Sequence, residues 1–373
     1  MDDFRTRVRA ALAAQGMSIR GAARALNYDV SYLSRVVNGK QQPSPRLAEG
    51  LDELLGQDGE LAALATKNHL PAQPDGPEAG VAHMKESATY LLQHANRYGS
   101  DTVAPTAVQV WRSAQRKLDS GSIPEKEQLA YLAAVAESAE VAGWLLYDAG
   151  QWDAARAAFL ESHMLARHAG DRSMQWFALD LLAMLDIEIG RPGEALRIAD
   201  EVLGQRRVPP RVALLAQVRR GRALAQIGEH QRTQAALKTA KGYVEESLSP
   251  SDPGWTWWVD EGEVRWHRGV ALLELGAPEE AIPAIHGSIE RLTIPDGRGA
   301  LHERIGLLSA FAKSKAWREA ETELETIASL LHTVRSGRNR YVLRRVLRTV
   351  DQESHAPAGL SSLAMDVATA LAP

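Results

Sequence analysis

Residues 18–44 read SIRGAARALNYDVSYLSRVVNGKQQPS, and their pattern indicates how the first part of the chain folds. Ser18 and Asp29 are good N-cap residues, and each precedes a short segment with apolar residues at helical spacing. We therefore predict one helix over Ser18–Leu26 and a second over Val30–Asn38. Only a few residues separate the two, so the helices must cross at a sharp turn.

The side chains of these two helices suit a helix-turn-helix. Ala23 is small enough for the helices to cross closely, and Asn27 tolerates the positive φ of a sharp turn. Leu33 and Val36 attach the second helix to the core from one side, which leaves its other side free for a DNA major groove. That free side carries Val30, Ser31, Ser34 and Arg35, and the residues placed to meet backbone phosphates are Arg20, Asn38, Lys40, Gln41 and Gln42. Arg35 is the candidate for a bidentate contact with guanine, which discriminates bases by roughly 1–3 kcal/mol.

Flanking segments complete a small helical domain. A helix is expected from about Asp2 to Gln15, ended by Gly16, and a fourth helix after Pro43 carries four leucines at helical spacing. From about Phe4 to Leu55 the sequence resembles, without gaps, the helix-turn-helix of the Xre/Cro family, the lambda-repressor-like regulators. The resemblance implies a lambda-repressor-like, sequence-specific DNA-binding domain over residues 1–65. Two positions depart from the family: Asn27 replaces its usual turn glycine, and Ile19 replaces a frequent polar phosphate contact. The alternative is a helical bundle that keeps this shape without binding DNA.

Charge and composition agree with DNA binding by one part of the chain only. The net charge of −4 argues against a protein that coats nucleic acid along its whole length. Residues 1–48 nevertheless carry eight basic and three acidic side chains. The basic residues are Arg5, Arg7, Arg9, Arg20, Arg24, Arg35, Lys40 and Arg46.

Several classes of protein are disfavoured. The chain has no cysteine, which excludes a disulfide scaffold, a thiol nucleophile and a cysteine-ligated metal. No phosphate loop, dinucleotide fingerprint or zinc-protease motif occurs, so we expect no enzyme, no catalytic residues, no cofactor and no metal. No apolar run approaches 18 residues and no signal peptide is evident, so we expect a cytoplasmic protein without a membrane partner.

Beyond a Pro- and Gly-rich segment at residues 66–80, interpreted as a linker, a repeating pattern predicts an α-solenoid over residues 81–373. Five times a turn position is followed five residues later by Ala or Thr, and four residues further on by a core residue. The residue seven positions before the turn is small in four of the five repeats. The turn positions are Gly150, Gly190, Gly228, Gly276 and Lys315. This pattern resembles the tetratricopeptide repeat, although the spacings of 40, 38, 48 and 39 exceed that family's usual 34.

Stacked helical hairpins present their first helices on a concave face, which in such repeats usually binds peptides or proteins. Alignment of the repeats predicts that this face carries Glu137, Glu140, Trp144, Tyr147, Asp180, Met184, Arg222, Glu263, Trp266 and His302. The alternatives are that the tryptophans simply pack between repeats and that the acids are solvated.

Each of two further segments has two possible roles. Residues 250–259, PSDPGWTWWV, hold three of the nine tryptophans and form either a ligand clamp or an anchor for the long loop. Six arginines lie within fourteen residues. They form a surface that binds DNA, an acidic partner or a second subunit, or else they form a solvated face. They are Arg335, Arg338, Arg340, Arg344, Arg345 and Arg348.

Together these features predict an all-α transcriptional regulator that binds operator DNA as a homodimer. The domain order resembles the peptide-pheromone receptors of Gram-positive bacteria, which implies a peptide or small-protein effector in the repeats. The alternative is a repeat scaffold for a partner protein whose contact with DNA is incidental.

Overall fold

The computed structural model describes residues 4–26, 28–38, 43–69, 76–245, 249–352 and 355–371. Over these residues the chain forms nineteen α-helices and one short 3-10 helix, with no β-strand. The all-α prediction is therefore confirmed.

Five helices build the N-terminal domain. They are α1 Phe4–Ala14, α2 Ile19–Ala25, α3 Val30–Val37, α4 Pro45–Leu55 and α5 Glu60–His69. The local signals work as predicted: Gly16 adopts a φ of +61° after α1, and the Ser18 hydroxyl accepts a hydrogen bond from the Gly21 amide at 3.0 Å. The predicted apolar faces bury Phe4, Val8, Ala11 and Leu12 of α1 and, in the other helices, Ala23, Leu33, Val36, Leu47, Leu51 and Leu55.

The predicted linker is too long. Helix α5 continues to His69 and α6 begins at Pro77, so residues 70–76 separate the two helices, of which 70–75 lie outside the described residues. The sequence interpretation took the prolines and glycines of this segment as helix breakers. Pro77 instead occupies the first turn of α6, where its missing N–H has no helical partner to lose. Gly80 lies inside α6, where there is little room for a side chain, since an added Cβ would come within 3.3 Å of the Tyr131 ring.

The remaining helices form a stack of hairpins. They are α6 Pro77–Tyr98, α7 Ala104–Asp119, α8 Glu125–Asp148, α9 Trp152–Ala169, α10 Arg172–Glu188, α11 Pro192–Gly204, α12 Pro210–Gln226, α13 His230–Glu245, α14 Glu261–Glu274, α15 Pro278–Ile289, α16 Arg298–Lys313, α17 Trp317–Leu330, α18 Gly337–Gln352 and α19 Ala358–Ala370. From α6 onward, consecutive helices pair as hairpins, and each hairpin stacks on the next.

The repeat alignment is confirmed position by position. All five predicted turn residues have positive φ, between +60° and +78°, including the non-glycine Lys315. The five Ala or Thr positions after the turns and the five core positions beyond them are all buried. At Gly143 an added Cβ would lie 2.6 Å from the Phe159 ring, and at Gly221 it would lie 3.0 Å from Leu237. Small residues are therefore needed there because the two helices of a hairpin touch.

Helix α8 is long and apolar enough, by length and composition alone, to cross a membrane. Its most apolar window is 67% buried inside the fold, as in a core helix of a repeat protein. Helices α6, α7, α9 and α10 all pack against it.

The tryptophan-rich segment mainly anchors the long loop between α13 and α14. Residues Gly254–Trp258 form the 3-10 helix, and the Trp255 ring stacks on Phe177 with centroids 4.3 Å apart. The Trp255 indole N–H donates to the Ser173 hydroxyl at 3.1 Å. Trp257 by contrast is 79% exposed and takes no part in this anchor. The anchor interpretation holds for Trp255, and the long spacing between the third and fourth turns is explained by this loop.

The first helices of the hairpins form a closed circle, here called the inner circle. Each of α8, α10, α12, α14 and α16 contacts the next, α16 contacts α18, and α18 contacts α8 again. The concave face predicted from the repeats is therefore an enclosed interior, here called the channel, whose inward-facing side chains are largely buried, and not an open groove.

The circle closes where residues 98–101 meet residues 335–337, a contact we call the seam. The Arg335 amide donates to the Tyr98 carbonyl at 2.6 Å, and the Asp101 amide donates to the Arg335 carbonyl at 3.2 Å. The Ser336 hydroxyl donates to the Asp148 carboxylate at 3.0 Å. An added Cβ at Gly99, which has a φ of +84°, would overlap the Arg335 carbonyl. Backbone approaches backbone at the seam, which leaves no room for a side chain there.

Candidate functional site

The outer face of α3 is held open by the core beneath it. Leu33, Val36 and Val37 are buried on the side that faces α1 and α2. On the opposite side Val30 is 39% exposed, and Ser31 and Arg35 are also exposed. Helix α3 is therefore attached from one side only, as the sequence predicts.

Side-chain hydrogen bonds organise this face. The Asp29 carboxylate accepts from the backbone amides of Ser31 and Tyr32, at 2.9 and 3.0 Å, and caps α3. These hydrogen bonds, with the one from the Ser31 hydroxyl the strongest, hold the pKa of Asp29 below its usual value. Arg35 donates to the Ser31 hydroxyl at 3.3 Å, so its guanidinium lies along the exposed face. The arrangement places a cation, hydroxyls and one apolar side chain on a single helical surface.

The ends of α3 carry the residues predicted to meet phosphates. Asn38 is exposed at the C-cap, where its amide donates to the Ser34 carbonyl at 2.8 Å and accepts from Arg9 at 2.6 Å. Arg20 is exposed on α2. Ser34 is half-buried beneath Asn38. Lys40, Gln41 and Gln42, like the turn residue Asn27, lie outside the described residues.

Ile19 has a structural role instead of a polar one. Its side chain is half-buried and packs against the core of the N-terminal domain. An apolar residue at the start of α2 therefore adds burial at the family position that often contacts phosphate.

The second candidate site is the channel inside the inner circle, where buried charges link neighbouring helices. Arg219 of α12 forms a bidentate ion pair with Asp180 of α10, with both N–O distances 2.9 Å. The Asp180 charge outweighs the effect of burial and raises the pKa of Arg219. The two side chains are only 2% and 7% exposed, so this pair is almost fully removed from water.

His267 of α14 lies at the centre of the next link. Its Nε2 is 2.9 Å from the Glu263 carboxylate, and its Nδ1 is 3.1 Å from a guanidinium nitrogen of Arg222. Burial, followed by the charges of Arg219 and Arg222, lowers the pKa of His267, although Glu263 opposes them. Nε2 also lies 2.9 Å from a guanidinium nitrogen of Arg219. In a neutral ring whose Nδ1 accepts from Arg222, the Nε2–H donates to Glu263 and the Arg219 contact is not a hydrogen bond. Arg222 also forms a bidentate pair with Glu274, at 2.9 and 3.2 Å.

The third part of the channel is an arginine-aromatic cluster at the seam. Trp144 and Tyr147 of α8 lie with ring centroids 5.7 Å apart. Arg298 of α16 lies 5.0 Å from the Trp144 ring, and Arg338 of α18 lies 4.8 Å from the Tyr147 ring. Both arginines lie near Asp148, at 3.6 and 3.7 Å, which is beyond hydrogen-bond distance. Burial raises the pKa of Tyr147 to about 12, so its hydroxyl stays protonated and donates to Glu188 at 3.3 Å.

The predicted acids of α8 lie apart from the charged links. Glu140 is buried, and within the described residues no cation pairs with it. Burial and the nearby charge of Glu137 raise the pKa of Glu140 to about 8. Glu137 is half-buried, and burial raises its pKa as well. Because Glu140 is buried, it does not fit the alternative interpretation of these acids as solvated.

Two further residues predicted to lie on the concave face, Trp266 and His302, pack between neighbouring helices instead. Trp266 is buried between α14 and α16, where an added Cβ at Gly306 would come within 2.6 Å of its ring. His302 contacts Trp266 edge to face, with centroids 5.0 Å apart, and its Nδ1 is 2.9 Å from the Asn339 side chain. Trp266 is thus an inter-repeat contact and is not open to a ligand. Met184 is half-buried on the channel side of α10.

The sequence interpretation missed several residues that complete the channel: Asp148, Glu188, Arg219, His267, Glu274 and Arg298. A usable signal existed, because Asp148 and Arg219 are charged residues inside otherwise Ala- and Leu-rich helices. Such residues are rarely buried without a partner.

The arginines within residues 335–348 differ in what they contact. Arg338 points into the channel and is buried, and Arg340 pairs with Asp101 at 2.6 Å across the seam. Arg335 pairs with Asp58 at 2.5 Å and so connects the seam to the N-terminal domain. Arg344 donates to the Leu371 carbonyl, and Arg348 donates to the Arg344 carbonyl at 3.3 Å. The run therefore binds parts of this chain, a role that the sequence interpretation did not consider.

The N-terminal domain contacts both sides of the seam. Besides the Asp58–Arg335 pair, Gly59 lies close enough to Tyr98 for an added Cβ to meet its side chain at 3.4 Å. Burial raises the pKa of Asp52, at the base of this contact, to about 6. Helix α3 packs on α1 and α2 of its own domain, and Ser31 and Arg35 on its outer face are exposed.

Comparison with known proteins identifies the N-terminal domain. A family model described as "Helix-turn-helix domain" matches residues 3–65. No curated protein matches the chain. Among solved structures, PlcR of Bacillus thuringiensis in complex with the peptide PapR7 and DNA is 11% identical, with a TM-score of 0.35, and the match covers 77% of this chain and 93% of that one. Selenomethionine phAimR is 10% identical, with a TM-score of 0.28, and the match covers 97% of this chain and 100% of that one. The family match shows that residues 3–65 form a helix-turn-helix domain.

Proposed function

We propose that the chain is a sequence-specific DNA-binding transcriptional regulator. The observation that carries this proposal is the accessible outer face of α3, fixed from behind by Leu33 and Val36 within a helix-turn-helix domain. A helix held in this way enters a major groove, with Arg35 and Ser31 able to contact base edges. Asn38 and Arg20 lie on the same side for phosphate contacts.

The repeat domain supplies dimerisation and an effector site in this proposal. One helix-turn-helix contacts a single half-site, so specific binding requires two copies whose recognition helices lie about 34–36 Å apart. The effector in this proposal is a peptide or small protein that enters the channel. Its influence reaches the DNA-binding domain through the Asp58–Arg335 pair and the Gly59–Tyr98 contact at the seam.

The experiment is a binding titration of the full chain against DNA from its own upstream region and against scrambled DNA of equal length, at several salt concentrations. A regulator shows a saturable, sequence-selective complex whose affinity falls steeply with salt. Arg35→Ala is expected to reduce the selectivity by about tenfold, which corresponds to the loss of one good base contact. Arg318→Ala, an exposed arginine on α17, is the matched control and should bind as the unmodified chain does.

Weak binding that does not depend on sequence, or an unchanged selectivity in Arg35→Ala, contradicts the proposal. That result favours the alternative of a repeat scaffold with incidental DNA contact.

A further inference from the structure

The arginine-aromatic cluster of the channel has more cationic donors than acceptors. Among the described residues the Arg298 guanidinium donates no hydrogen bond, and its nearest carboxylate oxygen, in Asp148, is 3.6 Å away. The Nε atoms of Arg298 and Arg338 are both buried without a hydrogen-bond partner. A buried guanidinium usually satisfies most of its five N–H groups, so unpartnered donors on two neighbouring arginines call for an acceptor.

Asp148 hydrogen-bonds to neither arginine, and each of its carboxylate oxygens already accepts a hydrogen bond at the seam. One carboxylate oxygen accepts from the Ser100 amide at 3.1 Å, and the other accepts from the Ser336 hydroxyl at 3.0 Å. Arg338 uses one nitrogen to donate to the Tyr147 hydroxyl at 3.1 Å. Burial and the charge of Arg338 lower the pKa of Arg298, although Asp148 acts in the opposite direction. Two positive charges therefore face one adjacent carboxylate, and a second carboxylate, Glu188, lies beyond the Tyr147 hydroxyl and also acts on Arg338.

Helix geometry adds to the positive potential at the same place. Helix α16 begins at Arg298 and α18 begins at Gly337, so two helix N-termini converge on the cluster. The partial positive charge of a helix N-terminus favours an anion within the first turn. Trp144 is half-buried beside these donors and offers an apolar, planar wall.

We propose that Arg298 and Arg338 form a binding site for a carboxylate whose adjoining group is apolar and packs against Trp144. A carboxylate matches the planar guanidinium in two parallel hydrogen bonds, which a neutral amide cannot do. The site deepens the proposed function, and only its regulatory consequence rests on that function. A carboxylate there competes with Asp148 for the two arginines, and Asp148 holds the seam on which the N-terminal domain sits.

The test uses the full chain and two matched pairs of probes in calorimetric titrations. Benzoate and benzamide represent a small acid and its neutral analogue, and the peptide Gly-Gly-Leu with a free or an amidated C-terminus represents a chain end. At least one acid is expected to bind saturably and about tenfold or more tightly than its amide, the difference that one charge-assisted hydrogen bond makes. The pair that binds tells whether the carboxylate comes from a small molecule or a peptide terminus.

Variants place the binding at the proposed residues. Arg298→Gln is expected to abolish the preference for the acid, whereas Arg265→Gln, an exposed arginine paired with Glu261, should leave it unchanged. Arg298→Lys keeps the charge without the planar fork and should bind the acid with intermediate affinity; it decides the matter if Arg298→Gln does not fold by circular dichroism.

Equal affinity for acid and amide, an unchanged preference in Arg298→Gln, or no saturable binding of any acid overturns the site. Operator binding is measured separately on the same samples. Acid binding without any change in DNA affinity supports the site and overturns only its regulatory consequence, so the two failures are distinguishable.

Discussion

Replacing Asp180 with leucine removes the only carboxylate that pairs with Arg219 among the described residues and leaves a charged guanidinium inside the inner circle. The two charges attract by about 4 kcal/mol at a separation of about 4 Å and an effective dielectric constant of about 20. Because both side chains are almost fully buried, water cannot replace the lost partner. Removing one member of a buried pair typically costs about 3–5 kcal/mol. We expect Asp180→Leu and Arg219→Met each to destabilise the repeat domain by an amount in this range.

The double variant Asp180→Leu/Arg219→Met separates pairing from packing. It leaves no uncompensated charge at this position, and its apolar side chains fit beside the cavity walls of Trp176 and Leu215. Since a buried pair can often be replaced by apolar residues at little cost, we expect the double variant to lie within about 1 kcal/mol of the unmodified chain. Urea unfolding followed by far-UV circular dichroism measures the difference, and urea is preferred because it does not screen charges.

Arg265→Met is the control, since this arginine forms an exposed pair within α14 and should cost less than about 0.5 kcal/mol. Single variants that cost less than about 1 kcal/mol would refute the argument that the pair is isolated from water. A double variant that costs the sum of the two single variants would refute the argument that pairing is the main term.

Three further predictions follow from local geometry. Gly99→Ala should destabilise the chain by more than about 2 kcal/mol in thermal unfolding because of positive φ and backbone overlap, whereas Gly121→Ala, with a φ of +67° and open space, should cost only about 1 kcal/mol. Trp255→Ala should cost about 3–5 kcal/mol and Trp257→Ala less than about 0.5 kcal/mol, as measured by urea unfolding. Asp52 keeps its proton up to about pH 6 when folded but releases it near pH 3.8 when unfolded, so its contribution to stability declines as pH rises through this window. In Asp52→Asn the decline in stability that Asp52 causes should be absent. If the urea midpoints of this variant and of the unmodified chain change in parallel from pH 4 to pH 7, the prediction is wrong.

Local structure was predictable wherever it depends on neighbours in sequence. Ser18 and Asp29 were recognised as N-caps because their short side chains bond backbone amides two or three residues away. The turn at Lys315 was found by its spacing alone, although it lacks the glycine of the other turns. The boundaries of the linker were wrong because Pro77 and Gly80 break helices on average. Pro77 is tolerated because it lies in the first turn of α6, and Gly80 lies against the Tyr131 ring, a neighbour in space that the sequence does not reveal.

The enclosed channel was not predictable because closure depends on the sum of small rotations between hairpins. No periodic pattern records that α18 returns to α8. The channel residues were consequently placed on the correct face with the wrong degree of burial, as Tyr147 and Asp180 show. Predicting their partners would have required matching each buried charge with an opposite charge on the adjacent hairpin, as Arg219 matches Asp180.

A closed circle changes what the repeats can do. In an open solenoid each hairpin contacts only its neighbours, so a disturbance at one hairpin fades along the stack. Here a polar or charged contact bridges every adjacent pair of inner helices, and the bridge from α18 to α8 carries Arg338 and Tyr147. A change in the tilt of any hairpin must therefore appear somewhere around the circle. The seam is the place with least freedom to absorb it, because Gly99 and Gly337 there bring backbone against backbone. Because the helix-turn-helix domain rests on both sides of that seam, we expect its position relative to the repeats to depend on the state of the channel.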